Sequence, residues 1–280
     1  MPELSLENYL SQSISQANWR SIGFNKRAGV LVPLFTTYSK NSFGIGDLGD
    51  LKLVIDWAKL IGNSIIQLLP MNEVGALFCP YDAISSFALE PSYICLKDFR
   101  QISKKKFTSK SFEHNYVDYA VKEEKLRLLW EVYLAEDLSP ATDGLTALTI
   151  NPVQSRGIDF ESFQLDNFYW LEDFVLFKVL KKHHQDRAWY DWEDKFKNRL
   201  PKALQDFKQE NIEEITFQMW LQWILFKQFR DVQNYAAKNN ILIKGDLPVL
   251  VCADSADVWS HPGFFKLDSA LGPRRICMPH

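Results

Sequence analysis

Residues 241–259 read ILIKGDLPVLVCADSADVW. A short apolar run, Ile241 to Ile243, gives way to Lys244, Gly245 and Asp246, then to Leu247-Pro248 and a second apolar run, Val249 to Val251. An apolar strand that carries a carboxylate at its C-terminal tip, with glycine beside it and proline just after, is how an α/β barrel presents a site residue. Taken alone, the stretch leaves two roles open for Asp246: capping a turn after a buried strand, or serving in a site. The rest of the chain bears on that choice.

Upstream, the same grammar occurs twice more. Val30 to Leu34 is an apolar run of strand length ending at Phe35, and Ser64 to Leu69 is another, closed by Pro70. Between them, Leu51 to Ile61 places apolar residues at helix period, and Gly62 stops it. Strand, loop, helix, strand within about forty residues predicts a βαβ unit and a parallel sheet. The loop Thr36 to Gly49 contains Gly44-x-Gly46-x-x-Gly49, the spacing of a dinucleotide loop. Asp47 and Asp50 argue against that reading, because they put carboxylates where a pyrophosphate needs backbone donors. As helix caps they are better placed, and Asp50 is expected to cap the following helix.

From Lys97 to about Lys238 the pattern turns helical. Val117 to Leu134, Phe168 to His184 and Glu213 to Asn239 read as amphipathic helices, and 138–163 as a polar linker. Residues 4–22 read as a further polar helix. Trp220, Trp223, Phe226, Phe229 and Tyr235 recur at helical spacing and are assigned to core. The division expected is 1–96 for the first two strands, 97–238 for a helical insertion, and 239–280 for the third strand and its loop.

Composition narrows the function classes. The 280 residues are 46% apolar, enough for a sizeable core. A net charge of −3 gives no reason to propose nucleic acid or an anionic membrane as partner. The chain has 9 Trp, 10 Tyr and 20 Phe, a complement that suits sugar stacking as well as a large core. Cys79, Cys95, Cys252 and Cys277 form no metal-ligand spacing, the five histidines form none either, and no GxSxG elbow is present. His183-His184 is expected to be solvated at a charged helix end. The first residues, MPELSLENYLSQSISQ, have neither a basic n-region nor an apolar h-region, so the default expectation is a cytoplasmic protein. What remains is a set of acids, hydroxyls and a tyrosine at strand ends, the equipment of a sugar site. Tyr81, in the loop Cys79-Pro80-Tyr81-Asp82, either faces substrate or packs the loop down.

RAGVLVPLF, SFGIGDLGDL, IIQLLPMNEVG, CPYDAISSFALEPSYI and KGDLPVLVCADSADVWSHPGFFKLD, in that order, resemble the amylomaltases, or 4-α-glucanotransferases. VDYAVKEEKLRLLW, WLEDFVLF and WYDW add to the resemblance, which runs from about Lys26 to Asp268. It implies a (β/α)₈ barrel related to the α-amylases, with a large helical insertion. It implies transfer of α-1,4-glucan segments to the 4-hydroxyl of another glucan, a maltooligosaccharide or glucose, by a retaining double displacement without metal or organic cofactor. Tyr81 matches the family's substrate-facing tyrosine, and Asp246 the aspartate of its GDLP motif near the central sugar subsite. Asp254 and Trp259 match its DSADVW segment. Cys79 stands where the family usually has serine, a better donor than a thiol. These five are the substrate-binding residues that the resemblance implies.

Residues 270–280, ALGPRRICMPH, depart from the family pattern. Regrouping permitted codons for Leu271 to Pro279 yields Gly-Ala-Pro-Pro-Asp-Met-Tyr-Ala, the loop that follows in the family. A shift of reading frame near Ala270 is therefore expected, ahead of the family's nucleophile and acid/base segments, and no catalytic residue is assigned. About three of eight barrel strands would then be present, truncated before barrel closure. The expectation is an exposed strand edge, poor solubility or a partly molten state, and no transferase activity from this polypeptide alone. The alternative expectation is a non-catalytic glucan-binding chain or a nonfunctional gene product.

Overall fold

The computed structural model describes residues 6–75, 78–99, 102, 117, 119–137 and 160–267. Its strands are β1 (Gly29–Val32), β2 (Ile65–Leu68), β3 (Asp82–Ala83), β4 (Leu242–Lys244) and β5 (Leu250–Val251). β1, β2 and β4 form a parallel sheet in that order, with Val32 opposite Leu68 and Ile65 opposite Leu242. The expected βαβ unit is thus present. β1 stops at Val32 rather than Leu34 because Pro33 has no N–H to continue the ladder, and Leu34–Thr36 coil into a 3₁₀ turn. β3 and β5 pair separately, also in parallel, Asp82 with Leu250 and Ala83 with Val251.

The helices are α1 (Leu6–Ser11), α2 (Gln16–Ile22), α3 (Leu48–Leu60), α4 (Val121–Asp137), α5 (Glu161–Asp166), α6 (Phe168–His183), α7 (Asp194–Lys197), α8 (Pro201–Glu210), α9 (Ile212–Lys238) and α10 (Ala256–Ser260). The single helix expected over residues 4–22 is instead two. Ser11 and Ser13 turn their hydroxyls onto the Asn8 and Leu10 carbonyls, and α2 buries no residue that would hold the helix together. Helix α4 begins four residues later than expected. Most of the polar linker, 138–159, and the out-of-frame reading of 270–280 lie outside the described residues.

The glycine-rich loop is a helix cap. Asp47, not Asp50, is the N-cap of α3. Its carboxylate accepts from the Gly49 and Asp50 N–H groups, at 2.8 and 3.3 Å. Asp50 answers from the third helical position, accepting from the Asp47 N–H and from the Ser39 and Ser42 hydroxyls. The donors a phosphate would use are already taken by protein carboxylates. Gly46 fits beneath this cap only because it lacks a side chain: a Cβ there would lie 2.0 Å from the Leu34 carbonyl oxygen. At the far end, Gly62 has φ 80° and closes a Schellman motif. Its N–H reaches the Lys59 carbonyl, and the Asn63 N–H the Ala58 carbonyl. Between the caps, Leu48, Leu51, Ile55 and Ala58 make the buried face.

Strands and helices share one apolar cluster, from Leu34 and Ile66 through Phe177 and Trp220 to Trp259. The helical block meets the segment after β2 through side chains that substitute for a neighbouring strand. Gln222, on α9, accepts from the Leu89 N–H and donates to the Leu89 carbonyl, both at 2.9 Å. Six residues on, Gln228 does the same to Cys95, at 2.9 and 3.0 Å. Lys125, on α4 and fully buried, donates to the Ser92 and Ile94 carbonyls and pairs with Asp47 at 3.6 Å.

Two substitutions check this frame. Gly46→Ala should destabilise the protein by about 1–3 kcal/mol, read as a lower melting temperature. Gln222→Leu fills the same space yet strands a backbone N–H and C=O, so the urea midpoint should fall by the equivalent of about 2–4 kcal/mol. An unchanged midpoint would show that the amide bridge is dispensable.

Candidate functional site

Two loops meet at the tips of the strands. The first follows β2 and runs to Glu90. Its Phe78 adopts φ 50° and stacks on Tyr119 at 4.1 Å, and the Cys79 carbonyl accepts the Asp82 N–H to close a turn. That turn leaves Cys79 exposed and Tyr81 half-buried. The second loop follows β4 and carries Asp246, with Leu247 and Val249 turned to solvent. The β3–β5 ladder ties the loops together, extended by the Cys252 N–H bonding the Ala83 carbonyl at 3.0 Å.

Across this junction the Tyr81 hydroxyl donates to Asp246 Oδ2 at 2.8 Å. The other oxygen, Oδ1, accepts from the Leu247 N–H at 2.9 Å. The bond to Asp246 pushes the Tyr81 phenol above the ordinary tyrosine value, because losing its proton would set two anions side by side. Tyr81 and Asp246 are therefore brought together. Among the described residues, each carboxylate oxygen accepts one bond from protein, which leaves a further lone pair for a hydroxyl donor.

Asp254 and Trp259 are not part of this junction. Asp254 takes the Lys181 ammonium at 2.6 Å on one oxygen and the Trp189 N–H at 3.0 Å on the other. The Trp189 indole in turn donates to the Ala253 carbonyl. Trp259 is 1% exposed. Its ring lies among Phe177, Trp192 and the Arg199 guanidinium, and its indole N–H is given to the Phe196 carbonyl. Trp259 has no face open to a sugar here. It serves the core, and Asp254 locks the helical block to the second loop. His184 also departs from expectation. It stacks on Trp192 at 5.0 Å and its Nδ1 meets the Leu180 carbonyl, while His183 stays exposed.

Sequence reading missed Asp257, which accepts from both the N–H and the hydroxyl of Ser86 and so pins the first loop to α10. A lone acid in ADVW carries no signal for that. It also missed the buried lysine Lys125, for which a signal exists: it sits in the apolar stripe Val121, Leu128, Leu129, Val132. Burial pushes the Cys252 thiol up to about 11 and the Cys95 thiol up to about 12, so neither supplies a thiolate at neutral pH. Among the described residues, no group of three or more His, Cys, Asp or Glu could hold a metal ion, and no helix is long and apolar enough to cross a membrane.

Comparison with known proteins identifies relatives of this chain. A 4-alpha-glucanotransferase from Chlamydia pneumoniae is 31% identical over 96% of this chain and 50% of its own length. One from Thermus thermophilus is 30% identical over 86% and 46%. The amylomaltase from Streptococcus agalactiae, solved in complex with acarbose, superposes with a TM-score of 0.71 at 25% identity, over 87% of this chain and 48% of that one. The chain thus spans about half the length of the curated relatives it matches. The family model for 4-alpha-glucanotransferase matches residues 32–273, from the end of β1 past both site loops. With that match covering the frame from the end of β1 through α10, the chain belongs to the 4-alpha-glucanotransferase family.

Proposed function

We propose that Tyr81 and Asp246 bind a glucose unit of an α-1,4-glucan, and that this chain supplies sugar-binding loops of a 4-α-glucanotransferase. The observation that carries the reading is the 2.8 Å hydrogen bond between two residues 165 positions apart. Both lie in segments on which the family resemblance rests. An ionised carboxylate with lone pairs to spare accepts sugar hydroxyls strongly, and a half-buried phenol ring beside it offers a face for the C–H side of a pyranose. Cys79, exposed on the same turn, is the further contact.

The reaction of the whole enzyme is a retaining transfer. The C1–O4 glycosidic bond breaks, a carboxylate takes C1, and the departing 4-oxygen receives a proton. The 4-hydroxyl of an acceptor glucan or of glucose then displaces the carboxylate and returns a proton. No residue of this chain is assigned the nucleophile or acid/base role. In this reading β1, β2 and β4 are three strands of a (β/α)₈ barrel, and Asp246 stands at the C-terminal end of one of them, the face on which such barrels build their sites.

Titration calorimetry with maltoheptaose tests the reading. Tyr81→Phe and Asp246→Asn should each weaken binding roughly tenfold, and the double variant should lose less than the product, because the two residues act through one bond. Absence of binding by the unaltered chain would sink the proposal. Glucose release from maltotriose, measured alongside, separates binding alone from turnover.

The pH dependence has a defined sign. Tyr81 keeps its proton above the ordinary tyrosine value of about 10. Affinity due to its donated bond is therefore complete below that value and lost as pH rises through the raised one. Asp246→Asn should move the alkaline limb to lower pH.

A further inference from the structure

Resting on the glucan-site reading, we propose that Lys178 and Lys122, on helices of the insertion, are positioning residues for the Tyr81–Asp246 pair and act through Glu73 and Glu90. Glu73 sits in the loop after β2 and is 1% exposed. Its Oε1 takes the Lys178 ammonium at 2.7 Å and the Lys122 ammonium at 3.3 Å. Lys122 also holds Glu90, at 2.9 Å, where the same loop ends. Two carboxylates on one loop are thus gripped by two ammonium groups from α4 and α6. Glu73 Oε2 has no hydrogen-bond partner among the described residues, so a carboxylate this buried leans on those two lysines.

The backbone carries the grip to the site. The Glu73 N–H bonds the Ala88 carbonyl at 2.8 Å, and its own carbonyl accepts the Ile84 N–H at 2.9 Å. Val74 bridges Ala83, and its N–H is held by the Glu90 carboxylate. Ala83 belongs to β3, immediately after Tyr81, and β3 pairs with β5, four residues past Asp246. A displacement of Glu73 therefore moves β3, and with it the distance between the Tyr81 hydroxyl and its acceptor. Neither lysine touches either site residue, so their influence runs through this frame. Burial pushes the Glu73 carboxyl up, yet Lys178 and Lys122 outweigh it and hold it below the ordinary glutamate value, which keeps the anion that both ammonium groups need.

The test is a spectrophotometric titration of the Tyr81 phenol, taken as a difference against Tyr81→Phe, with maltoheptaose calorimetry beside it. Lys178→Met and Glu73→Gln should return the Tyr81 midpoint toward the ordinary value near 10, and weaken maltoheptaose binding several-fold. Lys178→Arg, which keeps a cation opposite Glu73, should restore most of both. A merely structural network would lower the melting temperature and leave the midpoint where it was. That result, with helix content intact, overturns the proposal. If Glu73→Gln does not fold, Lys178→Met and Lys122→Met carry the same comparison at residues that keep some solvent contact. The phenol titration needs no sugar, so it judges the positioning role even where the unaltered chain binds no maltoheptaose, the result that would sink the glucan reading alone.

Discussion

A buried backbone N–H or C=O must find a partner, and this requirement shapes the molecule between β2 and the helical block. Among the described residues from Met71 to Phe99 there is no strand longer than two residues and no α-helix, yet much of the segment is buried. Ordinary secondary structure cannot satisfy such a segment. Side chains do so instead: Gln222 at Leu89, Gln228 at Cys95, Lys125 at Ser92 and Ile94, Ser85 at its own following turn. Remove the helices and these groups face an apolar interior with nothing to bond, at about 1–3 kcal/mol for each group left unpaired. The helical block is thus part of the frame on which the site loops rest.

That dependence explains why ionisable side chains are tolerated in the interior. Charge is costly to bury, and each buried ion here is paired or multiply bonded. Lys125 lies below the ordinary lysine value because its burial outweighs the pull of Asp47, the same Asp47 that caps α3. One carboxylate therefore both starts the first crossover helix and faces the ammonium that satisfies the loop two layers away. A helix seated one turn out of place would separate the Lys125 ammonium from Asp47 and from the Ser92 and Ile94 carbonyls.

Much of the frame could be read from residues. Apolar runs ended by Pro33 and Pro70, a helix between caps, and aromatic spacing along α9 marked the parallel sheet and the helical core, because each depends on a local period. What escaped reading has no period. The β3–β5 ladder is two residues long, too short for alternation, and yet it joins the site loops. Asp47 and Asp50 both sit where a cap could be, and only the backbone geometry of the loop assigns the N-cap to the first. Tyr81 and Asp246 stand out by their place in loops at strand ends as well as by likeness to a family, Asp254 and Trp259 by likeness alone. Segment likeness does not distinguish a side chain at the junction from one engaged elsewhere: Trp259 is buried in the core, and Asp254 pairs with Lys181.

The pairing of β2 with β4 joins residues about 177 positions apart, and Tyr81 and Asp246 are separated by 165. Closing so long a loop carries an entropy penalty that grows only slowly with length, about 0.6 kcal/mol per doubling, so the finished contact is little weakened by its span. The rate of reaching it is another matter. Non-local pairing slows folding, whereas α3 and α9 can form from neighbours in sequence. Local helices are therefore expected to form ahead of the strand pairing, and the tyrosine to meet its aspartate only once the chain between β2 and β4 has returned.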